Sequence, residues 1–351
     1  MKKIIAIVLL AALVAGAAFA QVSGYGRVRT NVGLNLNFWD DKDKDTEQPP
    51  FPPTWIFAPT ARLGLKGSTD VIDFFVQTDL NDRNTLGTIR ANATVKFGDA
   101  SLSIGQNELP WYQQSSLAFL GDGNNDFGAS NTVVIPYVRA NAFGAYLGIT
   151  SGNKVNAATT DKYPIPGFFF GYDLKQDKFS IGAAFAGLSD GGDDPDDKDD
   201  DIFSWMGNIH AKFNLDPLTL GLNVSLYGDP STGYFLLYNG TSSIPYGITT
   251  PKDSTVLEAM LDAAFKLSPC TVGFTGAILM NLKDADEKDI EKDGGATALR
   301  VGLSATFDLG GNFRLIPGLI FTSYLNGPQG VKIEDNKGTD LKAGVTFLYN
   351  F

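Results

Sequence analysis

LKAGVTFLYNF, residues 341–351, alternates along almost its whole length. Leu341, Ala343, Val345, Phe347, Tyr349 and Phe351 fall on one face. Lys342, Gly344, Thr346 and Asn350 fall on the other, with Leu348 as the one exception. Strand side chains point to opposite faces with period two, so one face of this strand meets something apolar and the other something wet. A soluble β-sandwich can use such a strand. A barrel in a membrane needs nothing else, because its outside meets hydrocarbon and its inside meets water.

The pattern recurs through the chain. In GRVRTNVGLNLNF, residues 26–38, Val28, Thr30, Val32, Leu34, Leu36 and Phe38 share a face, and Arg27, Arg29, Asn31, Asn35 and Asn37 share the other. TARLGLKG turns Ala61, Leu63 and Leu65 one way, and Arg62 and Lys66 the other. IRANATVKF separates Ile89, Ala91, Ala93, Val95 and Phe97 from Arg90, Asn92, Thr94 and Lys96. LRVGLSATFD does the same with Leu299 to Phe307 against Arg300, Ser304, Thr306 and Asp308. A sandwich rarely places arginines and asparagines opposite so uniform an apolar face. The expected spans are 22–38, 56–66, 71–80, 87–97, 100–106, 132–140, 142–151, 166–175, 178–188, 202–213, 218–228, 254–266, 270–280, 297–308, 313–324 and 340–351. Most reach the roughly nine to eleven residues that a tilted membrane strand requires.

Connection lengths alternate as well. Short ones are GSTD, GDA, a break near Asn141, KQD, NLDP, LSPC and LGGN. Long ones are 39–55, 107–131, 152–165, 189–201, 229–253, 281–296 and 325–339, with a shorter one at 81–86. Short turns on one rim and long loops on the other are how outer-membrane barrels are built. Phe97, Phe179, Phe213, Phe265, Phe307, Phe313 and Phe351 all lie on apolar faces at the short-turn end of their strands, while Trp39, Trp55 and Trp205 lie at the long-loop end. Two aromatic belts are expected at the two interfaces of a membrane. The fold expected is all-β: a transmembrane antiparallel barrel of sixteen strands with short periplasmic turns and long extracellular loops.

The start of the chain addresses the compartment. Lys2 and Lys3, the run IIAIVLLAALVAGAA and the small-x-small site Ala18-Phe19-Ala20 read as a secretory signal peptide over 1–20, leaving a barrel over 21–351. After Gln21 no apolar run reaches about eighteen residues, so a helical inner-membrane protein is excluded. Without Lys2 and Lys3 the chain carries 26 basic and 39 acidic residues, a net of −13, which argues against nucleic acid as a partner. Cys270 is the only cysteine and His210 the only histidine. No intramolecular disulfide can form, and a multi-histidine zinc site is excluded. No cofactor and no bound metal are expected.

These features together resemble the bacterial general-diffusion porins, over the whole of residues 21–351. The resemblance implies an outer-membrane location in a diderm bacterium and a water-filled channel for passive diffusion of ions and small hydrophilic solutes. The terminal strand resembles the signal read by the barrel assembly machinery, carried here by Val345, Phe347, Tyr349 and Phe351. In the family the long connection after the fifth strand folds into the lumen, and its acidic residues face a ladder of arginines. Here that connection is NELPWYQQSSLAFLGDGNNDFGASN, with Glu108, Asp122 and Asp126. The matching wall is Arg27, Arg29, Arg62, Arg90 and Arg139, with Pro136 blurring the pattern around Arg139. Such residues either form a charged constriction or simply line a wet wall. The family also assembles as homotrimers latched by the second outer loop, but the corresponding NDRNTLG is very short here. A lipid-facing contact is the remaining way for barrels to associate.

Other classes compete. DGGDDPDDKDDD, residues 190–201, either binds divalent cations weakly or is a solvated surface loop, and it lacks the spacing of an EF-hand. A barrel enzyme would want a Ser-His pair, but His210 shares its face with Asn208 and Lys212 and there is no second histidine, so the chain is expected not to be an enzyme. A non-conducting barrel acting as adhesin or structural protein, and a soluble β-sandwich, complete the alternatives.

Overall fold

The computed structural model describes residues 21–39, 53–80, 86–107, 135–150, 167–190, 202–228, 255–283, 297–324 and 338–351. These form sixteen strands and, among the described residues, no helix. The strands are β1 (Gln21–Trp39), β2 (Thr54–Ser68), β3 (Ile72–Leu80), β4 (Leu86–Phe97), β5 (Ala100–Asn107), β6 (Ile135–Ala142), β7 (Ala145–Thr150) and β8 (Gly167–Lys175). They continue as β9 (Phe179–Asp190), β10 (Ile202–Leu215), β11 (Leu218–Gly228), β12 (Thr255–Leu267), β13 (Cys270–Lys283), β14 (Thr297–Asp308), β15 (Phe313–Tyr324) and β16 (Gly338–Asn350). Each pairs antiparallel with its sequence neighbours, and β1 pairs with β16, so the sheet closes into a barrel. The soluble sandwich is thereby set aside. Closure leaves no edge strand with unpaired backbone groups, which is what a chain surrounded by hydrocarbon requires.

The strand alternation maps directly onto the two sides of the wall. Val28, Leu63, Leu65, Leu102, Ile149, Phe170, Leu222, Leu261, Leu303, Leu319 and Phe347 are large apolar side chains exposed on the outside. An apolar belt of this extent is complementary to lipid and not to water. Aromatics sit where the strands end. Phe97, Phe213, Phe265 and Phe351 are exposed at the short-turn rim, and Phe179 stacks on Phe213 at 6.5 Å. Towards the other rim Trp205 stacks on Phe185 at 6.3 Å, and Trp55 is exposed.

The seam between β1 and β16 runs from Arg27 opposite Asn350 to Trp39 opposite Gly338. Beyond it, Gly26 N–H donates to the Phe351 carbonyl at 2.8 Å, and Phe351 N–H donates to the Gly26 carbonyl at 3.0 Å. A Cβ on Gly26 would lie 2.2 Å from the Phe351 ring. The bare glycine therefore lets that ring lie across the seam on the outer face.

Two expectations change on inspection. The break near Asn141 is not a turn: Asn141 sits inside β6, opposite Ser101 and Tyr146, and its amide donates to Ser101 Oγ at 3.1 Å. The turn is Phe143-Gly144, with φ of 52° and 86°. A two-residue hairpin of this hand needs positive φ at both central positions, and Gly144 supplies one without steric cost. The apolar exception Leu348 also has a reason. It packs against Met260, Ala277, Ile316 and Ile320, all of which face inward and are buried. The inner wall thus carries an apolar patch that strict alternation does not anticipate. Next to it β15 carries Pro317, and the β14–β15 ladder is interrupted between Ser304–Gly318 and Phe307–Leu315. Proline has no N–H to give to such a ladder.

Candidate functional site: the charged inner wall

The candidate arginines are positioned by register. Arg27 on β1 lies directly opposite Arg62 on β2, and Arg62 lies opposite Asp79 on β3. One row nearer the short turns, Tyr25, Gly64, Gln77 and Arg90 form the next line across β1 to β4. Tyr25 Oη–H donates to Gln77 Oε1 at 3.0 Å, and the Lys66 ammonium lies 5.6 Å from the Tyr25 ring centre. Like charges directly opposite each other cost stability. Arg27 and Arg62 are nevertheless adjacent on the inner face, and neither is without a partner. Arg27, Arg62 and Arg90 are each half-buried on that face.

Arg29 and Arg139 differ from these three. Arg29 faces inward but is only 5% exposed; its Nε–H donates to Asn31 Oδ1 at 3.2 Å, and Thr346 Oγ1–H donates to the same oxygen at 2.8 Å. It is tied into the wall at the seam. Arg139 faces inward with Tyr137 and Asn141, which resolves the ambiguity raised by Pro136. It lies over the Tyr137 ring at 5.8 Å and stands two strands away from Arg90. Glu108, Asp122 and Asp126 lie outside the described residues, as do 191–201 of the acidic run. Val345, Phe347, Tyr349 and Phe351 line the outer face of β16, with Tyr349 stacked on Phe351 at 6.0 Å.

Below the arginines, near the short turns, the wall opens into an alcove of about 610 Å³ lined by Tyr25, Lys66, Asp73, Gln77, Asn92 and Thr94. Lys96 Nζ is 2.7 Å from Asp73 Oδ1, and Ser68 Oγ–H donates to the same carboxylate oxygen at 2.5 Å. A second alcove, about 520 Å³, includes Arg139, Asn141, Tyr146, Asp173 and Lys175.

Sequence reading did not select the charged groups of the far wall. Seven strands lie between β4 and β12 in either direction, so Arg90 and the acidic pair Glu258 and Asp262 sit on opposite sides of the barrel. Glu258 is fully buried; Tyr227 Oη–H donates to its Oε2 at 3.0 Å. Thr275 Oγ1–H donates to Asp262 Oδ1 at 2.5 Å. Arg300, 1% exposed, donates through Nε–H to Thr322 Oγ1 at 2.8 Å. Their inward parity was visible in the sequence. Their burial was not, because it depends on what packs against the wall. Among the described residues no group of three His, Cys, Asp or Glu side chains could hold a metal ion. Charged side chains of both signs thus occupy the inner face on both sides of the barrel.

No protein-family model matches the chain, and no curated protein matches it in sequence. Solved structures do match in fold. The outer membrane channel DcaP of Acinetobacter baumannii superposes with a TM-score of 0.65 at 15% identity, over 95% of this chain and 98% of that one. The anion-selective porin from Comamonas acidovorans gives 0.60 at 13% identity, over 94% and 100%. OmpF of Salmonella typhi, solved with daunomycin, gives 0.59 at 14% identity, over 95% and 98%. The chain has the fold of these bacterial outer-membrane porins.

Proposed function

We propose that this protein is an outer-membrane channel for passive diffusion of ions and small hydrophilic solutes, exported through a signal peptide over residues 1–20. One observation carries the reading: a closed sixteen-strand barrel with an apolar outside and a charged inside. Sixteen strands enclose an interior too wide for side chains from the wall alone to fill, and a polar wall keeps it wet. Its surroundings are outer-membrane lipid, reached through the barrel assembly machinery, and its closed apolar outside offers the contact for a homotrimer. Purified protein in planar bilayers gives stepwise conductance on this reading. A correctly folded barrel that gives no steps would be the adhesin or structural alternative.

In the same proposal, the connection between Asn107 and Ile135 lies in the lumen, with Glu108, Asp122 or Asp126 towards Arg27, Arg62 and Arg90. Two features support it. The segment SSLAFL, residues 115–120, is apolar enough to prefer a wall to water. The inward patch of Met260, Ala277, Ile316 and Ile320 is no more than 2% exposed, although it faces the interior. Deleting residues 113–127 is then expected to raise single-channel conductance. Unchanged conductance places the segment outside the pore.

A further inference from the structure

His210, the chain's only histidine, sits on the inner face of β10 between two acceptors. Its Nε2 is 3.1 Å from Asp173 Oδ1 on β8, and its Nδ1 is 2.9 Å from Asn208 Oδ1. The orientation of Asn208 is fixed by its own amide, which donates to Asn223 Oδ1 at 2.6 Å and to Ser225 Oγ at 2.8 Å. The amide nitrogen is committed there, so the oxygen faces the ring. A neutral imidazole has one N–H and can satisfy one of the two acceptors. The doubly protonated ring donates to both. The contact crosses a whole strand. β9 lies between β8 and β10, and Gly182 occupies the intervening position; a Cβ there would lie 2.2 Å from Asp173 Oδ1 and 2.5 Å from His210 Nε2. The backbone is left bare where the pair meets.

The charged and titratable neighbours on the packed strands are few. β8 contributes Asp173 and Lys175, β10 contributes Lys212, β7 contributes the Tyr146 phenol, β6 contributes Arg139 in the same alcove, whose guanidinium stays charged throughout, and the facing residues of β9 and β11 carry no charge. Lysine and tyrosine keep their charge state through the range in which an imidazole changes its own.

We propose that the proton on His210 sets the ion selectivity of the channel. This rests on the channel reading above. With a neutral ring the Asp173–His210 site carries one negative charge into the lumen. A proton taken from lumen water onto the free ring nitrogen neutralises the site as a pair. Cation preference therefore weakens as pH falls.

The test is reversal potential under a salt gradient in planar bilayers, stepped from about pH 8 to about pH 5. Intact protein shifts towards anions in one step, and His210→Gln, which keeps a polar side chain of similar reach, removes the step. The single imidazole resonance of the folded protein in detergent micelles titrates with the same midpoint. Conducting channels with a flat profile, or a step that survives in His210→Gln, overturn the inference. Absence of any current overturns the channel reading instead, and the imidazole signal still reports whether the ring titrates.

Discussion

Phe351 and Gly26 are two residues of opposite size that make one contact. The ring covers the seam because the glycine has nothing to push it away. Gly26→Val is expected to displace the ring and loosen the closure, at the cost of about 1–3 kcal/mol typical of overpacking. The temperature at which the compact band in a detergent gel gives way to the unfolded one reads this out as a decrease. Deleting Phe351 is expected to reduce insertion in cells, assayed by the folded fraction in the outer membrane; unchanged levels remove its role in assembly. At the arginines the prediction concerns charge. Arg62 and Arg90 face inward in adjacent rows, so neutralising both as Gln is expected to shift reversal potential towards cations. The shift is larger in dilute salt, where a fixed charge is felt over about 30 Å at 0.01 M against about 10 Å at 0.1 M. No shift would leave these arginines as wet wall.

Among the elements, the β6–β7 hairpin shows how a turn positions a wall. Gly144 has φ of 86°, and a Cβ there would lie 2.5 Å from the Asp173 backbone carbonyl. Gly144→Val is expected to destabilise the barrel by about 1–3 kcal/mol, the range for a non-glycine residue held in left-handed conformation. Because Asp173 N–H donates to the Gly144 carbonyl at 2.8 Å, the same change disturbs the strand that carries the His210 partner. β15 makes the opposite point. Leu315, Leu319 and Phe321 face out while Ile316 and Ile320 face in, so both faces are apolar and alternation alone does not orient the strand. Register with β14 and β16 does.

For the molecule as a whole, closure is the cooperative property. Every strand shares ladders with two neighbours, so no strand can leave without opening a seam. The protein in detergent is expected to migrate as a compact species before boiling and as an extended one after. Its far-ultraviolet dichroism is expected to show β-structure. A detergent-independent soluble monomer would contradict the apolar belt.

The sequence by itself determined the strand number and, in the strands that alternate cleanly, the inward and outward faces. Those follow from period-two alternation and connection length, both local properties. It placed the sixteen spans within a few residues, and where it slipped, at Asn141, a good turn former was held in a strand by pairing on both sides. Tertiary structure alone decided which inward residues meet. Arg27 opposite Arg62 is a matter of register, and the buried far-wall carboxylates depend on what covers them. His210 reaches Asp173 across an intervening strand because that strand offers Gly182 at the crossing point. Periodicity assigns a side chain to a face, but only the closed wall, with its strand order and stagger, assigns it a neighbour.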